Sequence, residues 1–478
     1  MRNANGSGHE QRRQTDGPGK DEVNRMNDFR KTAQEMLEFI RISPTCFHAV
    51  ANIGRMLEAA GFQQLQEKEE WKLEKGGRYY TERNDSSVIA FVIPEKEVGI
   101  RGFHMAAAHS DSPCFKIKEK PELTVEEHYL RLNTEKYGGM ILSTWLDRPL
   151  SVAGRLVVKN GNGIEGRLVN IDRDLCVIPN VAIHMNREMN KGVEYNPQVD
   201  LLPLLADVSF DEYDAHTTYD AQTASENAEE QPEAVEKPTL AALAAETAGV
   251  DAETILGEDL FLYTRQEGKM IGAKGEFVLS PRLDDLQSAF ALTKAFTEST
   301  PAEYINVCAV FDNEEVGSGT RQGADSTFLE DTLQRITEGL QEGHSTYLRW
   351  VADSFLISAD NAHAVHPNHP EKADPANRPY LNGGIVIKYH GSQKYTTDGI
   401  SAAKMKDYCE RAKVPYQTYA NRSDIAGGST LGNISTAHVS VSSVDIGLPQ
   451  LAMHSAVETA GMKDTEYAVR ALKEFWGE

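Results

Sequence analysis

Residues 304–319 read YINVCAVFDNEEVGSG. The run YINVCAVF has the texture of a buried strand, and it ends in a polar turn that carries two adjacent glutamates, Glu314 and Glu315. Like charges repel and a buried carboxylate is costly to desolvate, so this pair either faces water or is held by something positive. The segments around it set the fold class. DDLQSAFALTKAFTES (284–299) reads as a helix, and DSFLISAD (353–360), GGIVIKYH (383–390) and VSVSSVDIG (439–447) read as short strands. Alternation of this kind implies an α/β sheet covered by helices.

The N-terminal part supplies more of the same. Phe29, Ala33, Met36, Leu37 and Ile40 fall on one helical face. Ser43-Pro44 then opens a second helix through Phe47, Val50, Ile53 and Leu57, stopped by Gly61. SSVIAFVIP (86–94) and GIRGFHMAAAHSDSP (99–113) follow as strand-like runs. Between about 120 and 262 the texture changes. GRLVVKNGNGIEGRLVNI (154–171) is two β-rich runs around Asn160-Gly161-Asn162-Gly163, a hairpin signal. Residues 213–238 are acidic, rich in Ala, Thr and Gln, and nearly without bulky aliphatics. The expected organisation is a disordered lead-in over 1–24, an α/β domain built from 25–120 and 262–478, and an inserted β-rich domain over 121–261 with an acidic mobile loop at about 211–240.

Composition limits the setting. The chain has 478 residues and is 40% hydrophobic, enough for a substantial core. No apolar run reaches the roughly 18 residues of a membrane span, and no apolar secretory region opens the chain, so the expectation is a cytoplasmic protein. Five scattered cysteines without a CxxC pair argue against a disulfide framework and a thiolate zinc site. A formal charge of -23 disfavours nucleic acid and anionic membrane as partners and is compatible with a metal inside a carboxylate cluster.

In open α/β sheets, ligands bind beyond the carboxyl ends of strands. His109 and Asp111 close FHMAAAHSD, Asp284 follows FVLSPRL, Glu314 and Glu315 follow YINVCAVF, Asp360 ends SFLISAD, and His454 lies in LPQLAMHS. Each alone has an ordinary explanation: a solvated turn, an N-cap in the case of Asp284-Asp285, surface charge, or a satisfied core histidine. Their conjunction at strand ends points to a shared site. Zinc takes imidazole nitrogen and carboxylate oxygen, and a two-metal site with ions about 3.5–4 Å apart needs a bridging carboxylate plus about two terminal ligands per ion. Two histidines and three carboxylates meet that count. A further carboxylate off the metals would take the proton of a metal-acidified water, so neighbouring glutamates can divide the work.

The sequence resembles the aspartyl aminopeptidase and aminopeptidase I family of dinuclear zinc exopeptidases, from Phe29 to Trp476. AAHSDSP, SPRLDDL, DNEEVGSGT, SADNAHAVHPN, NRSDIAGGSTLG and PQLAMHS carry the resemblance in the family's order. It implies a mixed sheet sandwiched by helices, an inserted β-rich dimerisation domain, and two divalent ions per subunit, zinc with Mn2+ or Co2+ as alternatives. By resemblance, His109, Asp284, Glu315, Asp360 and His454 are metal ligands, with Asp284 bridging and Asp285 the competing assignment. Glu314 is the general base, and Asp111 orients His109. His184, in the insertion, is implied to reach a neighbouring subunit's active site, against the alternative of an interface or core histidine. The assembly implied is a dimer-based tetrahedral dodecamer.

Other residues are weaker candidates. His363, His366 and His369 read as loop or outer-shell residues, and residues 422–432 resemble a wall of the substrate pocket. Lys388 is a candidate partner for an acidic substrate side chain, or a solvated strand-end charge. Residues 392–395 read SQKY where the family more often has NQRY, a departure that counts against acidic preference. The reading is a metal-dependent aminopeptidase acting on peptides with a free N-terminus, removing an acidic residue or a neutral one such as Leu. Its rivals are a dinuclear metal amide hydrolase (deacylase), which needs no free α-amine, and a non-catalytic metal-binding assembly protein.

Overall fold

The computed structural model describes residues 20–95, 99–208, 239–428 and 430–478. The acidic loop falls almost wholly outside these residues, as does the lead-in up to residue 19. Helix is already present from Lys20, within the stretch expected to be disordered: Lys20–Arg41 is one helix, and Cys46–Ala59 is the second, followed by Gly61 at φ 84°.

Among the described residues the main sheet has nine strands, in the order Gln63–Gln64, Arg78–Arg83, Ser87–Val92, Ile305–Phe311, Phe103–His109, Phe355–Ala359, Ser442–Gly447, Ile385–Tyr389 and Tyr416–Ala420. The sheet is mixed. Ile305–Phe311, Phe103–His109, Phe355–Ala359 and Ser442–Gly447 run parallel at its centre, with antiparallel pairs on both sides. Their sequences are almost continuously apolar because both faces are covered. Cys308, Val310, Ala106 and Ala108 pack into a core with the helices Lys20–Arg41, Cys46–Ala59, Leu283–Thr297, Gly399–Ala412 and Asp464–Trp476. Their alternating neighbours Val307, Ala309, Met105 and Ala107 pack against Phe328–Gly339, His344–Ala352 and Leu431–His438 on the other face.

Parallel register brings the chemistry-bearing ends into line. His109 pairs with Phe311, so the Glu314-Glu315 turn emerges beside it, and Ser358 pairs with Ala107, which sets Asp360 next to the same edge.

A second sheet contains, in order, Gly163–Asn170, Leu150–Asn160, Ile255–Thr264, Cys114–Val125, Tyr129–Tyr137 and Leu204–Asp207. Asn160 pairs with Gly163 across the hairpin, with Gly161 at φ 58°, as a two-residue turn requires. The chain enters on Cys114–Val125 and leaves on the adjacent Ile255–Thr264, so the sheet extends a few residues beyond 121–261 at both ends. It has a core of its own around Phe115, Leu132, Trp145, Leu156 and Leu260.

A third sheet was not expected. It joins Lys269–Ile271, Phe277–Ser280, Glu458–Gly461, Pro449–Leu451 and Ala362–His363. Strands of two to four residues are too short to show alternation. This sheet leads directly into Asp284 and flanks the loop that carries His454.

Candidate metal centre

Asp284 lies at the centre of the cluster, only 2% exposed, and its two oxygens face different histidines. Oδ1 is 3.4 Å from His109 Nε2, and Asp360 Oδ1 is 3.9 Å from the same nitrogen. Oδ2 is 3.6 Å from His454 Nε2, which is also 3.5 Å from Glu315 Oε1. Two donor triads thus share one carboxylate. Asp284 and Asp285, joined by a cis peptide, lie outside regular helical geometry at the start of Leu283–Thr297. Asp285 is buried beside the first triad and accepts the His109 N–H at 3.2 Å.

Hydrogen bonds fix the donors from behind. His109 Nδ1 lies 3.1 Å from the Asp111 carbonyl oxygen and 3.4 Å from its Oδ1. The Asp111 carboxylate accepts the N–H of Glu314 at 3.2 Å, the N–H of Glu315 at 3.1 Å and the Tyr137 hydroxyl at 2.7 Å. It therefore holds the glutamate turn as well as the histidine. His454, in the left-handed region at φ 65°, donates its N–H to Glu458 Oε1 at 2.7 Å, while Glu458 Oε2 accepts the Asp284 N–H at 3.0 Å. Glu458 and Tyr137 carry no local sequence signal for these roles, since their partners are remote in sequence or main-chain atoms.

With the protein's own charges alone the cluster is frustrated. Burial and the neighbouring Asp284 push the Glu315 carboxyl well above its ordinary range. Burial, with the Asp360, Asp111 and Asp284 carboxylates, pushes Glu314 up to about 8 against the pull of His109. Burial would lower the His109 imidazole, but Asp111, Asp284 and Asp360 outweigh it and hold it well above the usual value. Asp360 is held below its ordinary range: Lys388 and His109 overcome the cost of burial. Lys388 is not a solvated strand-end charge. It is 2% exposed, with Nζ 3.3 Å from Asp360 Oδ2 and 3.2 Å from the Asn361 carbonyl.

A cavity of about 210 Å³ opens on the cluster, and Glu314, Asp360, Lys388, Tyr395, Tyr419 and His454 are among the residues lining it. His363 also lines it, whereas His366 and His369 lie exposed with their rings 5.2 Å apart. Gly428 and Thr430 bring the 422–432 segment to the cavity wall. His184 is on an exposed turn of the inserted region and joins none of these clusters within its own chain.

Similarity to known proteins gives the family. The family model for the aminopeptidase I zinc metalloprotease (M18) matches residues 39–476. The chain belongs to the M18 aminopeptidase family. It is 47% identical over 448 residues to a probable M18 family aminopeptidase 2 of Clostridium novyi, covering 93% of this chain and 98% of the relative. The structure of an Ape4 and Nbr1 complex matches with a TM-score of 0.86 at 36% identity, covering 95% of this chain and 86% of that one. The S. cerevisiae mApe1 dodecamer matches with a TM-score of 0.78 at 26% identity, covering 94% and 97%. The protein is accordingly a zinc metallo-aminopeptidase.

The donors present in this M18 enzyme fit zinc. Imidazole nitrogens and carboxylate oxygens are its ordinary ligands. Asp284 Oδ1, Asp285 Oδ1 and Glu315 Oε1 are buried without a hydrogen-bond partner among the described residues, a costly state that a cation relieves.

Zinc should therefore raise the melting temperature of chelated protein, by the equivalent of about 2.7 kcal/mol at one hundred times the dissociation constant. Glu315→Gln should leave the chelated protein about as stable, because it replaces a buried carboxyl by a neutral amide of the same shape, and should abolish the share of the zinc-dependent gain that the His454 triad supplies in calorimetry. A full zinc response in this variant would contradict the assignment.

Proposed function

We propose that His109, Asp360 and Asp284 would hold one zinc ion and that His454, Glu315 and Asp284 would hold the second, with Glu314 free to act as base. The single observation that carries this reading is Asp284 placed between two histidine-carboxylate pairs. When bound, the metals supply Lewis-acid polarisation of the scissile carbonyl and a water acidified to about pKa 7. Glu314 takes the proton of the attacking water and returns it to the leaving amine. Asp111 holds that glutamate in place through its main-chain N–H.

The α-ammonium of a peptide enters a cavity walled by carboxylates, whereas an acetylated end brings no charge to them. This favours exopeptidase action. Lys388 uses two contacts, to Asp360 and the Asn361 carbonyl, which leaves one of its three donors for a carboxylate of the substrate. An N-terminal Asp or Glu is therefore the preferred residue, over a neutral one such as Leu.

The inserted sheet is the proposed dimerisation surface of a large oligomer, a dodecamer by analogy with the yeast mApe1 structure. Around His184, Val181, Ile183 and Met185 are exposed apolar residues, with Met185 82% accessible, which suits an interface that delivers His184 to another subunit's cavity. A cytoplasmic location accords with five unpaired cysteines and with the lack, among the described residues, of any helix long and apolar enough to cross a membrane.

Glu314→Gln should lower kcat by about 10²- to 10⁴-fold with zinc content unchanged. A base works ionised, so wild-type activity should fall as pH drops through the Glu314 titration. That midpoint should lie below the value of about 8 set by the protein's charges, because bound cations favour the ionised form. Near-normal turnover of the variant with metal bound would refute the role. Matched peptides beginning Glu, Asp or Leu, free or N-acetylated, should be cleaved only when free and zinc-loaded, fastest with the acidic residues. Equal cleavage of acetylated peptides would indicate an amide hydrolase, and a Glu-to-Leu ratio below one would overturn the role of Lys388. Velocity sedimentation of a cytosolic fraction should find the activity in a large particle; activity at the monomer position, or in the membrane pellet, would contradict the assembly or the location.

A further inference from the structure

One short segment of the inserted sheet, residues 137–144, YGGMILST, is hydrogen-bonded to the residues that flank both histidines of the metal centre. Tyr137 ends the Tyr129–Tyr137 strand, pairs with Cys114, and packs its ring edge-on against Phe261 at 5.6 Å, so it is anchored on the inserted domain. Its hydroxyl donates to Asp111 Oδ2 at 2.7 Å and accepts from Asn313 Nδ2 at 2.8 Å. Through Asp111 it stands behind His109 and behind the main chain of Glu314 and Glu315.

The same segment reaches the other histidine. The Gly139 carbonyl lies 2.5 Å from His454 Nδ1, and the Ile141 N–H donates to the His454 carbonyl at 2.9 Å. With Nδ1–H donated to that carbonyl, the Nε2 lone pair is turned toward Asp284 and Glu315. Thr144 Oγ1 accepts the Ala456 N–H at 2.9 Å and extends the attachment along the His454 loop. Gly138, at φ 77°, leaves no room for more: a Cβ there would stand 3.1 Å from Glu315 Cβ and 3.3 Å from its carbonyl oxygen.

We propose that residues 137–144 form a strap by which the inserted domain positions both histidines of the metal centre, so that zinc affinity is partly set by a domain that contributes no ligand within its own chain. The inference rests on the ligand assignment above. Tyr137 and Gly139 are positioning residues, acting through Asp111 and His454. The inserted domain then does more than bring subunits together: displacement of its Tyr129–Tyr137 strand is transmitted to His109 and His454 at once.

The test is zinc affinity, measured by competition with a chromogenic chelator, for wild type, Tyr137→Phe and Tyr263→Phe. Tyr137→Phe keeps the ring and its packing. Tyr263→Phe removes a hydroxyl of the same sheet that donates to Asn170 Oδ1 at 2.7 Å and accepts from Arg265 Nη1 at 3.2 Å, and that makes no hydrogen bond to Asp111 or to the His454 loop. Loss of an outer partner of a metal-binding group typically weakens affinity about 10- to 100-fold. That loss is expected for Tyr137→Phe alone, with two zinc ions still bound at saturation and KM unchanged there. Wild-type affinity in Tyr137→Phe, or equal loss in Tyr263→Phe, overturns the strap. A wild type that takes up no zinc, or His109→Ala with undiminished affinity, overturns the ligand assignment and the strap with it.

Discussion

Asp284 is a carboxylate buried between two imidazoles and three further acids, and its negative charge constrains the rest of the molecule. Carboxylates this close repel one another, and removal from water makes each costlier to ionise. A concentrated positive charge relieves that repulsion while leaving the carboxylates ionised. Lys388 supplies part of it, on the Asp360 side alone. On the His454 side no lysine or arginine ion pair to Asp284 or Glu315 is present among the described residues. Two cations sharing Asp284, as proposed, would answer the deficit on both sides.

The fold can be understood as the scaffold that holds this cluster together in spite of its repulsion. Parallel strands deliver His109, the Glu314-Glu315 turn and Asp360 to one edge, and the buried helix Leu283–Thr297 brings Asp284 up against it. The small third sheet places Glu458 where it accepts main-chain N–H groups from both Asp284 and His454. Asp111 does the same for the two glutamates. These acids are satisfied by neutral donors, which leaves the cations to the ligands. The non-helical backbone at Asp284 and Asp285 and the left-handed conformation of His454 fall where the ligands must turn inward, and the hydrogen bonds around them are correspondingly dense.

Much of this was legible in the sequence, because strands buried on both faces read as apolar runs and the chemistry follows directly after them. YINVCAVF, SSVIAFV and SFLISA lie in the central sheet, and 284–299 lies mostly within a helix. The order of strands in the sheet was not legible, since pairing between Phe103–His109 and Ile305–Phe311 joins segments about two hundred residues apart. Very short strands such as Pro449–Leu451 have no periodicity to detect. At the site, the ligand candidates stood out as acids and histidines at strand ends. Their supports did not: Tyr137 looks like any strand tyrosine, Gly139 acts through a main-chain carbonyl, and the burial of Lys388 depends on the neighbouring strands rather than on IVIKY itself.

Anomalous scattering at the zinc edge, from crystals grown with zinc, tests the shared-carboxylate arrangement most directly. Two maxima about 3.5–4 Å apart are expected, one among His109, Asp360 and Asp284 and the other among His454, Glu315 and Asp284. Zinc bound away from Asp284, or a single site in which Asp284 contacts no metal through one of its oxygens, would contradict it.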